Sequence, residues 1–597
     1  MLGKLLIANR GEIAVRIIRT CSELGVTSVA VHSDPDAQAL HVRLADEVVS
    51  LGGVAASESY LDIDKIIAAA KSVGADAIHP GYGFLAENAG FARAVTEAGL
   101  IFVGPPAEAI DVMGEKVAAR AVATKADVPG VPGSDGAITT ADEVVAFGSE
   151  HGYPVAIKAS YGGGGRGMRT VASADDAAAA LDSARTEATA AFGRGDVYLE
   201  RYLSHARHVE VQVFADQYGN VVWLGDRDCS VQRRHQKLVE EAPAPGLSET
   251  LRKEMGEASV RLAREVGYVG AGTVEYLVEA EQERFYFLEM NTRIQVEHPV
   301  TEETLGLDLI AEQLRVASGE PLSFEHSGIT PRGHAIEVRI NAENTAGGMF
   351  IPSPGNLGTV AAPERTGVRW DSGYLSGDTV QPHYDSLIGK LVVWAPTRAH
   401  AISRMLKALD ELTISGVPTT APAASVILAQ DDFKNAVINT NWLERDIELS
   451  TLLPAPSVED SDDGDDEATG GRDEVWVGDR RYIIPFFGAA TSTAQTEPNA
   501  QSSSPRRAGG SGRRAGRGKA VASGAIVSPM QGTVAQIDAA EGDSVTTGQV
   551  LMVLEAMKMQ NPIRATADGV IVSLPVSVGE VVAAGAPLVT IEPSASA

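Results

Sequence analysis

A shift of the C-terminal sequence by 37 residues lays Gly532 on Gly569, Gly542 on Gly579, Gly548 on Gly585 and Glu555 on Glu592 without a gap. A gapless duplication restricts the fold severely, because both halves must follow one chain path and bury equivalent residues. Each half alternates short apolar runs (533–537 and 550–554; 570–574 and 588–591) with glycine-containing turns. That pattern reads as short strands of a small quasi-symmetric all-β sandwich spanning 523–597. The seam between the halves is Glu555-Ala556-Met557-Lys558-Met559. Met557 and Lys558 fall in the joining hairpin, the most exposed point of such a module. A lysine held out on a tight turn is a place to attach something.

The rest of the chain is too long for one core. Its 597 residues suggest about three or four domains. Residues 1–112 alternate strand patterns (4–9, 28–31, 77–79, 101–104) with helix patterns (12–24, 63–72, 89–98), which implies a parallel sheet covered on both faces. Asn9-Arg10-Gly11-Glu12 is a strand-to-helix turn with one glycine, so it is not a dinucleotide fingerprint. Residues 113–330 read as α+β around a Gly-rich loop, and 331–447 supply further strands (335–340, 387–394) and a helix (399–412).

Composition then changes. Residues 459–467 hold seven acids, 491–505 are mostly small and polar, and 506–519 hold six basic residues among glycines. Such sequence buries too little apolar surface to offset its ordering entropy, so 448–522 is expected to be flexible linker. Only an island at 474–487 alternates like a small hairpin. A module tethered by such a linker has a raised effective concentration at a catalytic site.

The formal charge of −29 argues against a nucleic-acid partner. No run reaches the ~18–20 apolar residues of a membrane span. The N-terminus carries no signal or transit pattern, and two cysteines, Cys21 and Cys229, give no disulfide framework. A cytoplasmic location is expected.

The chemistry concentrates in the middle of the chain. Tyr161-Gly162-Gly163-Gly164-Gly165-Arg166-Gly167-Met168 follows an apolar run containing Lys158. Glycines let backbone N–H groups cradle phosphate oxygens, and a lysine adds a point charge. Apolar strands at 273–278 and 284–290 flank a polar turn. If that turn centres on Gln282, Glu275 and Glu289 lie opposite each other in a hairpin. Like charges so placed destabilise a sheet, whereas with Asn291 they make an oxygen-rich site for Mg²⁺ and nucleotide phosphates. Asn291 to Val300 and Glu337-Val338-Arg339 add carboxylates and two guanidiniums suited to planar anions.

These segments resemble, nearly letter for letter, the biotin carboxylase branch of the ATP-grasp enzymes. The resemblance rests on 7–14 (IANRGEIA), 79–88 (HPGYGFLAEN), 162–168, 227–243 (RDCSVQRRHQKLVEEAP), 291–302 and 384–391. It spans 1–447, and 523–597 separately resembles the biotinyl domain of biotin-dependent carboxylases. The implied fold is multidomain: an α/β N-terminal domain (1–112), an α+β ATP-grasp domain (113–330) with a mobile lid at about 132–203, an α+β C-terminal domain (331–447), the linker, and a flattened all-β biotinyl/lipoyl-like sandwich.

The resemblance also implies roles. Lys116, Lys158 and the loop glycines Gly163, Gly164 and Gly165 would hold ATP phosphates. Glu200, Arg201 and Leu203 would line the adenine pocket, and His208, Gln232 and His235 would contact ribose and phosphates. Glu275, Glu289 and Asn291 would bind Mg²⁺ (or Mn²⁺). Lys237, Arg293, Gln295 and Val296 would form the bicarbonate site, with Glu297 as its base. Arg339 would stabilise the biotin enolate beside Tyr82, and Lys558 would carry biotin.

The implied reaction activates bicarbonate with ATP as carboxyphosphate and carboxylates biotin. In layout the chain resembles the α subunits of actinobacterial acetyl- and propionyl-CoA carboxylases. That implies a separate carboxyltransferase β subunit, a biotin protein ligase, and homo- and hetero-oligomers. A pyruvate or urea carboxyltransferase partner, another ATP-grasp ligase with a lipoyl-type carrier, and a silent carrier scaffold are the alternatives.

Overall fold

Five short strands open the chain as a parallel sheet: β1 (Lys4–Ile7), β2 (Thr27–His32), β3 (Glu47–Ser50), β4 (Ala77–His79) and β5 (Ile101–Phe102), in the order β3-β2-β1-β4-β5. In the computed structural model the described residues are 2–160, 168–192, 194–234, 236–324, 330–454, 472–477, 480–485, 525–528, 532–556, 559–582 and 585–593. Strand β3 was not expected from sequence. As an edge strand with only alternate half-buried positions, it carries a weak apolar signal. Helix Gly11–Leu24 buries Ile13, Ala14, Ile17, Ile18 and Cys21, the helical spacing of one face, and stops at Gly25 in the left-handed conformation.

The strand order reverses between β1 and β4. Ligands of open α/β sheets sit beyond the carboxyl ends of strands at such a point. The segments emerging there are Asn9–Glu12 and Pro80–Tyr82.

A second, smaller unit is a three-stranded sheet of β6 (Val155–Ala159), β7 (Arg169–Val171) and β8 (Val197–Arg201), ordered β7-β6-β8. With helices Ala141–His151 and Ala177–Phe192 it encloses its own apolar core, including Val144, Ile157, Leu181 and Leu199. A segment with a private core can move as a body.

The largest sheet has eight strands: β9 (Arg207–Ala215), β10 (Val221–Arg233), β11 (Gln236–Ala242), β12 (Gly270–Glu279), β13 (Arg284–Asn291), β14 (His334–Asn341), β15 (Val368–Ser372) and β16 (Leu387–Ala395). Their order is β13-β12-β9-β10-β11-β14-β16-β15. The sheet therefore runs continuously from the central segment into the C-terminal one, through the antiparallel pairing of β11 with β14. Apolar cores lie at either end, one around Leu251, Met255 and Tyr276, the other around Ile336, Leu391, Met405 and Trp442.

The expected linker start is corrected: residues 448–454 are packed and not linker, because helix Leu449–Leu452 places Leu449, with Leu453 just after it, in the apolar core around Ile336 and Trp442. Further along, a hairpin pairs Arg472–Val477 with Arg480–Pro485, Val475 opposite Tyr482. The remainder of that expectation lies outside the described residues.

The C-terminal module consists of two four-stranded sheets. One holds Ala525–Val527, Pro587–Pro593, Gly569–Ser573 and Ser544–Val545; the other holds Met559–Arg564, Val550–Ala556, Gly532–Ile537 and Val581–Val582. Adding 37 to Gly532–Ile537, Ser544–Val545 or Val550–Ala556 gives a strand of the opposite sheet each time. The repeat thus exchanges the two sheets, and equivalent turn glycines Gly542 and Gly579 adopt φ of 93° and 89°. Leu551, Leu554, Leu588 and Ile591 fill a core of the module's own. Ala556 and Met559 are register partners; Met557 and Lys558 lie outside the described residues.

Candidate active site

The hairpin of β12 and β13 brings the acidic pair together. Its outer rungs, such as Leu277 opposite Tyr286, place the turn centre between Glu281 and Gln282; a register shift between Glu275 and Tyr276 then brings Glu289 opposite Glu275. The extra residue on the bulged strand is Leu288. Such a bulge re-aims side chains at a functional edge, and it is invisible in the residue spacing. Desolvation in the cleft, and then the facing Glu275, raise the Glu289 carboxyl above its ordinary range, opposed by Lys116. Glu275 is held low despite its burial, because Lys237 and His208 stand beside it.

Behind this pair lies a dense ionic cluster. His208 Nε2 is 2.8 Å from Glu275 Oε2 and 3.5 Å from Glu210 Oε1. Donor atoms of His208, Glu210 and Glu275 lie within 4.8 Å of one another, one of two such groups among the described residues. Asn291 donates its amide to Glu275 Oε1 at 2.7 Å and accepts from Arg293 Nη2 at 2.8 Å. Gln295 donates to the same Glu275 oxygen at 2.8 Å.

Lys237 is the hub. Its ammonium contacts Glu210, stands 2.6 Å from Glu297 Oε1 and 3.3 Å from Glu275 Oε1. Burial opposes its charge, but the three carboxylates keep it protonated far above its usual range. Arg339 spans two carboxylates, Nε to Glu240 Oε1 at 2.6 Å and Nη2 to Glu297 Oε2 at 2.9 Å. Burial alone would raise the Glu297 carboxyl, yet Lys237, Arg339 and Arg227 hold it well below the ordinary range.

The switch point of the first sheet delivers Tyr82 to the same region. Asn9 Nδ2 donates to the carbonyls of Pro80 and Tyr82 at 2.7 and 2.8 Å. This turn needs Gly81, whose φ is 62° and whose Cβ would come within 2.8 Å of the Asn9 amide. The Tyr82 hydroxyl donates to Glu12. Glu12 is 3.2 Å from the Lys390 ammonium, which donates to the Val296 carbonyl at 2.8 Å. One buried lysine on β16 thereby ties the Tyr82 turn to the Gln295–Glu297 segment.

Elsewhere, Lys158 pairs with Glu200, and Arg120 Nη1 is 2.6 Å from the other Glu200 oxygen. Arg201 turns its guanidinium onto Glu279 at 3.0 Å and Tyr286. Leu203 packs with Val131, Ala206 and Tyr286. Lys116 begins helix Lys116–Lys125, and its charge acts on Glu289. Gln232 is buried opposite Lys237 in the β10–β11 register. Arg293 donates to Glu87 at 2.9 Å. Gly163, Gly164, Gly165 and His235 lie outside the described residues.

Several members of this cluster carried no role in the sequence reading. Arg227 is fully buried and binds Glu210, Gln212, Thr301 and, at 2.5 Å, Gln295 Oε1. Arg227 and Glu240 belong to the 227–243 motif and Lys390 to the 384–391 motif, which was the available signal. Glu210 had a weaker one, a lone acid inside the apolar strand β9. Cys229 is buried and its thiol is pushed up first by burial.

A parallel α/β sheet, a sheet-borne ionic cleft and a duplicated carrier sandwich define a biotin carboxylase of the ATP-grasp type joined to a biotin carrier domain, and the chain belongs to the biotin-dependent carboxylase family. Models of four families match: biotin carboxylase, N-terminal domain (1–110); carbamoyl-phosphate synthase L chain, ATP binding domain (115–325); biotin carboxylase C-terminal domain (337–445); and biotin-requiring enzyme (524–591). The biotin-dependent acyl-coenzyme A carboxylase alpha3 subunit of Mycobacterium leprae is 47% identical over 602 residues, covering 99% of each chain. The biotin carboxylase of Haemophilus influenzae is 51% identical over 75% of this chain and 100% of its own. The biotin carboxylase domain of the Hydrogenobacter thermophilus 2-oxoglutarate carboxylase, solved with MgADP, ADP and bicarbonate, superposes with a TM-score of 0.70 at 46% identity, over 75% of this chain and 99% of that one. The chain is therefore an ATP-dependent ligase that carboxylates biotin. No described helix is long and apolar enough to cross a membrane.

Proposed function

We propose that this chain carries out the first half-reaction of an acyl-CoA carboxylase, carboxylating biotin on Lys558 and presenting it to a separate carboxyltransferase subunit that acts on acetyl- or propionyl-CoA. The observation that carries this reading is the end-to-end match to an acyl-coenzyme A carboxylase alpha subunit, 99% of each chain. A biotin protein ligase would supply the attached biotin.

The donor set suits a hard divalent cation. Glu275 and Glu289 oppose each other in register, and a like-charged pair inside a sheet is relieved by an ion between them. In this reading Glu275, Glu289 and the Asn291 amide oxygen would hold Mg²⁺, which would supply charge neutralisation to the ATP phosphates. Lys116 and Lys158 supply further positive charge to the same phosphates. Lys237, Arg293, Gln295 and the Val296 backbone receive bicarbonate beside Glu297.

The structure raises a question of basicity. Glu297, clamped by Lys237 and Arg339, is a weak base. Bicarbonate oxygens compete for Lys237, and the ureido oxygen of biotin competes for Arg339. As each cation turns to substrate, Glu297 loses an ion pair and its proton affinity rises. The base is thus switched on by the substrates it serves. Phosphoryl transfer itself needs positioning and charge stabilisation, which the lysines and arginines provide.

Glu289→Gln separates metal binding from stability. Removing one member of the repulsive pair is expected to stabilise the fold by about 0.2–1 kcal/mol. Bicarbonate-dependent ATP cleavage should fall by at least roughly tenfold to a hundredfold, the loss typical even for groups one shell beyond a metal. Thermal unfolding and a Mg²⁺ titration of ATPase activity check both.

The acceptor is tested by reconstitution. The chain alone should carboxylate biotin without forming any acyl product, and co-purified carboxyltransferase subunit should add malonyl- or methylmalonyl-CoA formation. Carboxylation of pyruvate or urea by that complex, with acyl-CoA inert, would overturn the reading.

A further inference from the structure

Behind Arg339 lies a buried carboxyl group that the reaction as described does not use. Glu337 is wholly buried on β14, and both of its carboxyl oxygens lack a hydrogen-bond partner. Its register partner on β11 is Glu240, itself wholly buried, with Oε1 on Arg339 Nε and Oε2 unpartnered. The charged groups facing Glu337 are Lys390, Glu240, Arg339 and Glu297. The first of these is committed elsewhere, its ammonium lying on the Val296 carbonyl and Glu12. Two ionised carboxylates opposed on adjacent strands without a cation between them are untenable at this depth.

We propose that Glu337 is a positioning residue for biotin carboxylation: a neutral carboxylic acid that donates its proton to the free oxygen of Glu240 and so fixes the carboxylate that orients Arg339. Directly opposed residues of antiparallel strands hold their Cβ atoms ~4.5–5.5 Å apart, within reach of such a bond. The pair then carries one negative charge, matched by Arg339. The Glu337 carboxyl is driven well above its ordinary range by burial and then by Glu240, against Lys390. Glu240 is raised to about 7 by burial, with Arg339 opposing. Because Arg339 Nε holds Glu240 Oε1 at 2.6 Å while neither Glu337 oxygen meets a donor, Glu240 is the carboxylate of the pair and the proton resides on Glu337. No proton is consumed or released in the cycle; the acid is a fixed donor.

Three readouts test this on the full-length chain. In an infrared difference spectrum at neutral pH, wild type minus Glu337→Gln should show the C=O band of a protonated carboxyl. Carboxylate bands in its place would overturn the proposal. In thermal unfolding, the folded wild type keeps a proton that the unfolded chain releases above ~4.3. Wild type therefore loses stability relative to Glu337→Gln as pH rises through the carboxylate range, so its Tm minus that of the variant should fall toward neutral pH. A difference that stays flat or rises with pH would contradict it.

In kinetics, the glutamine amide can still donate to Glu240, so Glu337→Gln should rescue what Glu337→Ala loses. The alanine variant should lose roughly tenfold to a hundredfold in kcat/KM for free biotin, with the KM for ATP unmoved. Equal damage by glutamine and alanine would mean that a charge is required, and the proposal would fail. This last arm rests on the reading of Arg339 as the group facing biotin. The infrared arm does not, so a protonated band without a kinetic effect would refute that reading of Arg339 rather than the protonation.

Discussion

Glu297→Gln is expected to lower bicarbonate-dependent ATP cleavage by roughly 10²–10⁴-fold, the usual worth of a positioned general base. Binding of MgADP, measured by calorimetry, should survive, because Glu297 is not among the carboxylates read as holding the metal and meets Glu275 only through Lys237. The isosteric amide keeps the shape but cannot accept a proton. A stability signature accompanies the kinetic one. The folded value of the Glu297 carboxyl is depressed by Lys237 and Arg339, overcoming its burial. Its contribution is then fully present above the unfolded value of ~4.3 and is lost as pH falls through the depressed folded value. The wild type should exceed Glu297→Gln in Tm at neutral pH, and the two should converge in acid. A variant with normal bicarbonate-dependent turnover would remove Glu297 from the mechanism.

Lys558→Ala should abolish attachment of biotin while leaving ATP cleavage driven by free biotin intact. The physical basis is the separateness of the two parts. The carrier sandwich closes its own core around Leu551, Leu554, Leu588 and Ile591. The ionic cluster around Lys237, Glu297 and Arg339 draws on β11, β14 and the segment after β13. Intact-protein mass after coexpression with a biotin ligase reads the first effect, and a coupled ATPase assay with free biotin reads the second. Loss of both activities in a folded variant would show that the modules are not independent.

Much of this molecule was legible in its residues, for reasons that differ by element. The 37-residue repeat foretold the sandwich because a gapless duplication preserves strand positions, and the strands of one sheet map onto the other. The opposition of Glu275 and Glu289 followed from counting back from a polar turn. The count succeeded through two cancelling departures: a turn centre half a residue earlier and a compensating bulge at Leu288. What escaped were partners far apart in sequence. Glu240 meets Arg339 across 99 residues, and Lys390 meets the Val296 carbonyl across 94. Glu210 lies in a strand buried along its whole length, where local pattern reports burial and not the identity of the neighbour. Strand pairing across the large sheet supplies that information, and no window of sequence contains it.

In the proposed function one chain uses ATP and bicarbonate to carboxylate the biotin that it carries. The most direct test incubates purified, biotinylated chain with MgATP and ¹⁴C-bicarbonate, followed by peptide mapping of the acid-labile label. Label is expected on the peptide containing Lys558, dependent on ATP and absent from Glu297→Gln. Label that forms without ATP, that maps to another lysine, or that never appears on a chain shown by mass to carry biotin would contradict it.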